Sequence, residues 1–253
     1  MPLELGIFCF GVGVGIFGAY LGLGGGLLVV PFLTLVLGLP AKVAVGTSLL
    51  TVITTSTGAA QEYLKSGRAD IRLGIILELF TTLGALAGGL AAAFLAEKTI
   101  FIFFGLLLVL VAAQMLRSKE KPDFNHTTST GEYRNWGWGM GVSSLAGVLS
   151  GVLGVGGGVL KIPAMNLIMK VPLSVAFATS NLMIGVTATA GGLVYFSRGY
   201  VDLRTAAPLV LGTALGALIG ARTVKKVPTR WLRFAFVLVL LGVAFEMLLK
   251  GIK

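Results

Sequence analysis

Charge, histidine and cysteine are all scarce in this chain of 253 residues. Asp, Glu, Lys and Arg make up 12% of it, against roughly 25% in a typical soluble domain. A single cysteine, Cys9, excludes an intrachain disulfide. With His126 as the single histidine, no ordinary zinc or thiol-protease site can be assembled. No lysine follows a glycine run in Walker spacing, so ATP hydrolysis is not the energy source. Gly13, Gly15 and Gly18 fit a dinucleotide-type G-x-G-x-x-G, but no strand precedes them. The next acid is Glu62, well beyond the ~20-residue spacing such a site needs. The apolar runs hold no Ser/His or paired-carboxylate arrangement. The chain is therefore expected not to be an enzyme, and to carry no catalytic residue, metal or cofactor. A basic leader is also missing: Glu4 is the first charge, so the first apolar segment is expected to stay.

What the chain has in abundance is apolar surface. Hydrophobic residues are 56% of it and the mean hydropathy is +0.95. No water-soluble fold of this length buries that much, so lipid is its natural solvent. Glycine is high at 37 residues, and the glycines sit inside apolar runs, where they let helices pack closely. The net charge of +10 would suggest nucleic acid in a soluble protein. Here the basic residues fall between the apolar runs, where they set topology. The expectation is a multi-pass α-helical protein of the cell inner (plasma) membrane, with the lipid bilayer and no nucleic acid as partner.

The chain repeats itself. Gly22-Leu23-Gly24-Gly25-Gly26 recurs as Gly154-Val155-Gly156-Gly157-Gly158, an offset of 132. Without a gap, Pro31 then matches Pro163, Pro40 matches Pro172, and Thr47-Ser48 matches Thr179-Ser180. Tyr63 matches Tyr195, Asp70 matches Asp202, Arg72 matches Arg204, and Gly84 and Gly88 match Gly216 and Gly220. Matches among Gly, Pro and polar residues outweigh apolar ones, which any two membrane segments share. Two homologous repeats, residues 1–117 and 135–253, are thus expected around a polar linker, 118–134. Eight to ten transmembrane segments are expected, the first of each repeat broken at its triple glycine. Asp70 is placed to cap the helix that follows it.

Charge bears on orientation. If the broken first segment enters and returns, each repeat crosses an odd number of times and the two are inverted. The turn 65–72, the linker and the loop 222–233 then share one side, with roughly twice the positive charge of the other. Inverted-topology repeats are also common in transporters. This arrangement is favoured, and it leaves both termini outside the cytoplasm.

Broken helices in inverted repeats mark the substrate site, near midplane. A glycine run lets a ligand approach backbone N–H groups, and the helix starts near Leu27 and Val159 aim their positive ends at the breaks. Gly24, Gly25, Gly26, Gly156, Gly157 and Gly158 are therefore candidate anion-binding residues; otherwise they only permit a kink or close packing. Thr47, Ser48, Thr179, Ser180 and Asn181 are candidate donors to an oxyanion, or else bond back to their own helix. Asn181 stands where the first repeat has Leu49. Lys161, whose counterpart is Val29, either pairs with the anion or snorkels to an interface. Glu78, whose counterpart is Val210, is a candidate for proton coupling, or neutralises a basic residue, or sits near a membrane surface.

The runs Gly-Leu-Gly-Gly-Gly-Leu-Leu-Val-Val-Pro at 22–31 and Gly-Val-Gly-Gly-Gly-Val-Leu-Lys-Ile-Pro at 154–163, with Gly-Thr-Ser at 46–48 and Ala-Thr-Ser-Asn at 178–181, resemble the sulfite exporter TauE/SafE family. The resemblance covers nearly the whole chain outside the linker. It implies export of sulfite, organosulfonates or related sulfur or carboxylate anions. With the anion cradle it yields the expectation of a secondary transporter for a small sulfur-containing anion, with protons as candidate coupling ion. The alternatives are an uncoupled anion channel, a carboxylate transporter and, last, an intramembrane enzyme.

Overall fold

The computed structural model describes residues 2–22, 24–117, 133–223 and 229–252, and all regular structure among them is helical. Most of the linker, His126, and Lys225 and Lys226 of the basic loop lie outside the described residues. In order the helices are α1 (Pro2–Leu21), α2 (Gly26–Pro31), α3 (Ala41–Lys65), α4 (Ile71–Ala92) and α5 (Glu97–Arg117). They continue with α6 (Trp136–Leu153), α7 (Gly158–Pro163), α8 (Leu173–Ser197), α9 (Leu203–Thr223) and α10 (Thr229–Ile252). α2 runs on into a π turn, Phe32–Val36, and α7 into another, Ala164–Ile168. Proline explains why the winding changes there: Pro31 and Pro163 lack the N–H that the α pattern needs.

Among the described residues, six helices are long and apolar enough to cross a membrane: α1, α3, α4, α5, α8 and α9. Their outer sides carry large apolar residues such as Leu79, Leu83, Leu193 and Leu211, all exposed. The segments Gly26–Val36 and Gly158–Ile168 are apolar but shorter. At about 1.5 Å per residue they reach only partway across a ~30 Å core.

Glycine sets how the helices pair. α1 packs along α9 with Gly11 against Gly212 and Gly220 against Ile16. α4 packs along α6 with Gly147 against Thr81 and Gly151 against Ala85. Backbones touch at these points because no side chain intervenes, and both pairs run parallel. α3 also runs parallel to α9, through Thr54–Thr213 and Gly58–Ala217. α1 and α3 therefore point the same way, and the chain through α2 returns to the side where α1 starts. α3 and α8 run antiparallel: Gly46 meets Tyr195, Leu49 meets Gly191, and Ser56 meets Gly185. α5 and α10 are antiparallel too, with Gly105 against Leu248 and Gly251 against Ile102.

Asp70 caps α4, its Oδ1 accepting from Leu73 N–H at 2.9 Å, a contact of the kind that contributes about 1 kcal/mol. Its Oδ2 accepts from the Tyr133 hydroxyl at 2.5 Å. Burial and the Asp70 carboxylate together push that phenol well above its ordinary range.

Candidate functional site

α1 ends at Leu21 and α2 begins at Gly26; α6 ends at Leu153 and α7 begins at Gly158. The helix starts thus fall one residue earlier than Leu27 and Val159. Gly24 and Gly25 have φ of 72° and 80°, and Gly156 and Gly157 have 78° and 76°. These are left-handed values that favour glycine. The two breaks meet each other. Gly26 lies against the Gly154 carbonyl, and a Cβ at Gly158 would sit 2.5 Å from the Gly22 carbonyl. Gly24 and Gly156 both rest on one pair of side chains, Val52 and Ile184, which are equivalent at the offset of 132.

The serines of the Thr-Ser pairs bond to this junction, and the threonines bond to the starts of α4 and α9. Ser48 Oγ donates to the Gly154 carbonyl at 3.0 Å, and Ser180 Oγ donates to the Gly22 carbonyl at 3.3 Å. Thr47 Oγ1 accepts from Asp202 N–H at 3.0 Å, and Thr179 Oγ1 accepts from Asp70 N–H at 2.9 Å. Each hydroxyl reaches into the other half of the chain. Asn181 Nδ2 donates to the Phe177 carbonyl at 3.0 Å, its backbone carbonyl accepts from Ser56, and its Oδ1 has no partner among the described residues.

Lys161 and Glu78 come together. Lys161 has no solvent exposure and Glu78 has 7%. Lys161 Nζ lies 3.0 Å from Glu78 Oε2 and donates to Thr187 Oγ1 at 2.8 Å. Thr187 in turn donates to Glu78 Oε1 at 2.5 Å, and Thr82 adds a longer bond at 3.2 Å. Lys161 therefore does not snorkel, and Glu78 does not face solvent. Their pairing spans α4, α7 and α8. Sequence reasoning singled out both residues without joining them, and missed Thr187. The available signal was that Thr187 repeats Thr55 at the same offset. Val52 and Ile184 were missed because apolar residues stand out nowhere in such a chain.

A buried ion pair costs desolvation that its attraction often fails to repay, so packing alone is a poor reason to keep one. The chain carries its own comparison. At 132 residues away, Lys161 is replaced by Val29 and Glu78 by Val210, while Thr187 is matched by Thr55.

Apolar helices of spanning length, with a charged group buried between them, define a multi-pass protein of the cell membrane. Residues 7–247 match the sulfite exporter TauE/SafE family, and the chain belongs to that family. It is a membrane transporter of that type. "Probable membrane transporter protein YunE" of Bacillus subtilis (strain 168) is 29% identical over 96% of each chain. "Probable membrane transporter protein YdhB" of the same organism is 28% identical, over 94% of this chain and 96% of its own. "Probable membrane transporter protein MJ0441" of Methanocaldococcus jannaschii is 29% identical, over 87% of this chain and 86% of its own. No solved structure matches the chain.

Proposed function

We propose that the protein is a secondary transporter that exports a small sulfur-containing oxyanion, such as sulfite or an organosulfonate, bound beside Lys161 at the junction of the two glycine breaks. One observation carries this reading. A lysine, a glutamate and a threonine are buried together where the equivalent position of the other half is served by Val29 and Val210. An apolar pair suffices for packing there, so the charged pair is kept for another purpose, and intramembrane charge marks substrate and proton paths. The backbone N–H groups after Gly25 and Gly157 add dipoles that favour an anion.

Glu78 is the counter-ion that an arriving anion displaces from Lys161. Once displaced, the carboxylate takes a proton from the side open to water, and anion and proton cross together. Ser48 and Ser180 tie each break to a helix of the opposite half, Thr47 and Thr179 anchor the starts of α9 and α4, and Asn181 keeps an acceptor beside the first break.

Residues 1–117 and 135–253 act as inverted repeats joined by 118–134. What supports inversion is that equivalent helices, α3 with α8 and α5 with α10, run antiparallel. The return of the chain through α2 gives each repeat an odd number of passages. The ends of α3, α5 and α9, with Lys65, Arg117 and Arg222, then share the cytoplasmic side. Transport follows from rocking of one repeat against the other.

The test is uptake into liposomes of labelled sulfite, methanesulfonate, sulfate and acetate, with and without a pH gradient. Saturable uptake of the sulfur anions, accelerated when protons flow the same way, is expected. Absence of saturable sulfur-anion uptake refutes the reading, and ion currents beyond carrier rates make the protein a channel instead.

A further inference from the structure

Three buried polar atoms have no hydrogen-bond partner among the described residues: Ser143 Oγ, Ser150 Oγ and Asn181 Oδ1. All three belong to the second half of the chain. Their counterparts at the offset of 132 are Gly11, Gly18 and Leu49, which carry no such atom. With Lys161 and Glu78 they fall on α6, α7, α8 and α4, and these four helices pack around one another. The equivalent helices, α1, α2, α3 and α9, hold glycine, valine and leucine at every corresponding place.

Ser150 stands nearest the charge. A Cβ built at Gly157 would lie 3.4 Å from Ser150 Cβ and 3.4 Å from Lys161 Cε. Those two carbons are therefore no further apart than twice that distance, and the glycine keeps the space between them free of a side chain. The ammonium of Lys161 has three hydrogens. Glu78 and Thr187 engage two of them. The end of the Lys161 side chain and a hydroxyl without a partner among the described residues thus flank the same glycine. Burying a hydroxyl without a partner is penalised, so a ligand that supplies the acceptor relieves the penalty.

We propose that the anion binds at a single site on one side of the junction, within α4, α6, α7 and α8, where Ser150 donates to one of its oxygens and Lys161 to another. The ligand class is a small oxyanion with at least two acceptor oxygens. This narrows the transport reading above and rests on it. Ser143 is two helical turns from Ser150 on the same face of α6, and marks where the anion passes on its way in or out.

The experiment measures labelled sulfite uptake in liposomes, and sulfite-dependent thermal stabilisation in detergent, for the wild-type chain, Ser150→Ala and Ser150→Thr. A lost hydrogen bond to a charged ligand corresponds to roughly a tenfold or greater loss of affinity. Ser150→Ala should raise the half-saturating sulfite concentration about that much in both assays with its maximal rate retained, and Ser150→Thr should recover most of the loss. If Ser150→Ala does not fold, Ser150→Cys, nearly the same shape with a weaker donor, takes its place and should show the same rise. An unchanged half-saturating concentration, with saturable wild-type uptake, overturns this proposal and leaves the transport reading standing. No saturable uptake by the wild-type protein overturns both.

Discussion

Replacing Lys161 and Glu78 together by valine asks why the protein keeps charge at this junction. The double variant copies what the chain already has at Val29 and Val210. Lys161→Val alone strands the Glu78 carboxylate, which is 7% exposed. Glu78→Val alone strands the fully buried ammonium. Breaking a buried ion pair in this way costs about 3–5 kcal/mol, whereas replacing both partners by apolar residues is neutral or stabilises by about 1–4 kcal/mol. At about 2–4 °C per kcal/mol for a chain of this size, the single variants should melt roughly 6–20 °C below the wild type. The double variant should melt at or above it. Saturable anion uptake should vanish in all three. Thermal melting in detergent, paired with liposome uptake of sulfite, reads both quantities on the same preparations. A double variant that transports like the wild type would refute the reasoning, because the charges would then be dispensable for transport. Single variants that melt with the wild type would refute the other half, because the pair would not be buried as the distances require.

Glu78→Gln keeps the shape and hydrogen bonding of the side chain but cannot titrate, so its sulfite uptake should lose the response to a pH gradient; a preserved response in flux assays would remove Glu78 from coupling. Ser48→Ala and Ser180→Ala each free a buried glycine carbonyl at the junction, and each should lower stability by about 1–3 kcal/mol, read by melting. Gly24→Ala and Gly156→Ala force a side chain into left-handed backbone, which costs about 1–2 kcal/mol, and crowd Val52 and Ile184; melting below the wild type checks this. Tyr133 has a phenol raised above its ordinary value by burial and by Asp70. Its contribution is therefore complete below the ordinary tyrosine range and lost as pH rises through the raised value. Tyr133→Phe should accordingly melt below the wild type at neutral pH and approach it under strongly alkaline conditions, as a melting series against pH would reveal.

Much of the architecture is legible in the residues. Helices of spanning length follow from composition and the spacing of Gly, Pro and Asp. Asp70 caps α4 as expected, because capping acts locally, between a side chain and the next turn of the chain. The candidate site is legible only in part. Lys161, Glu78 and Asn181 stand out as polar residues without a counterpart, and the glycine runs stand out as repeats. The sequence assigns no partner to any of them. Lys161 and Glu78 are 83 residues apart, and nothing local relates them. The Thr-Ser pairs read in the sequence as donors to an anion or to their own helix; in the structure their hydroxyls bond backbone groups of the opposite half, and Ser48 also bonds back to the Val45 carbonyl of its own helix.

By itself, then, the sequence determined the solvent, the helices and the match of residues at one offset, because each is read from composition or from the order of residues along the chain. Only the tertiary structure decided which duplicated residues face each other, that Lys161 meets Glu78 through Thr187, and that the unpartnered hydroxyls of α6 gather on one side. The physical reason is distance. A charge buried in an apolar interior must find its partner wherever the packing of glycine-lined helices brings one, and that packing is set by contacts made far apart in the chain.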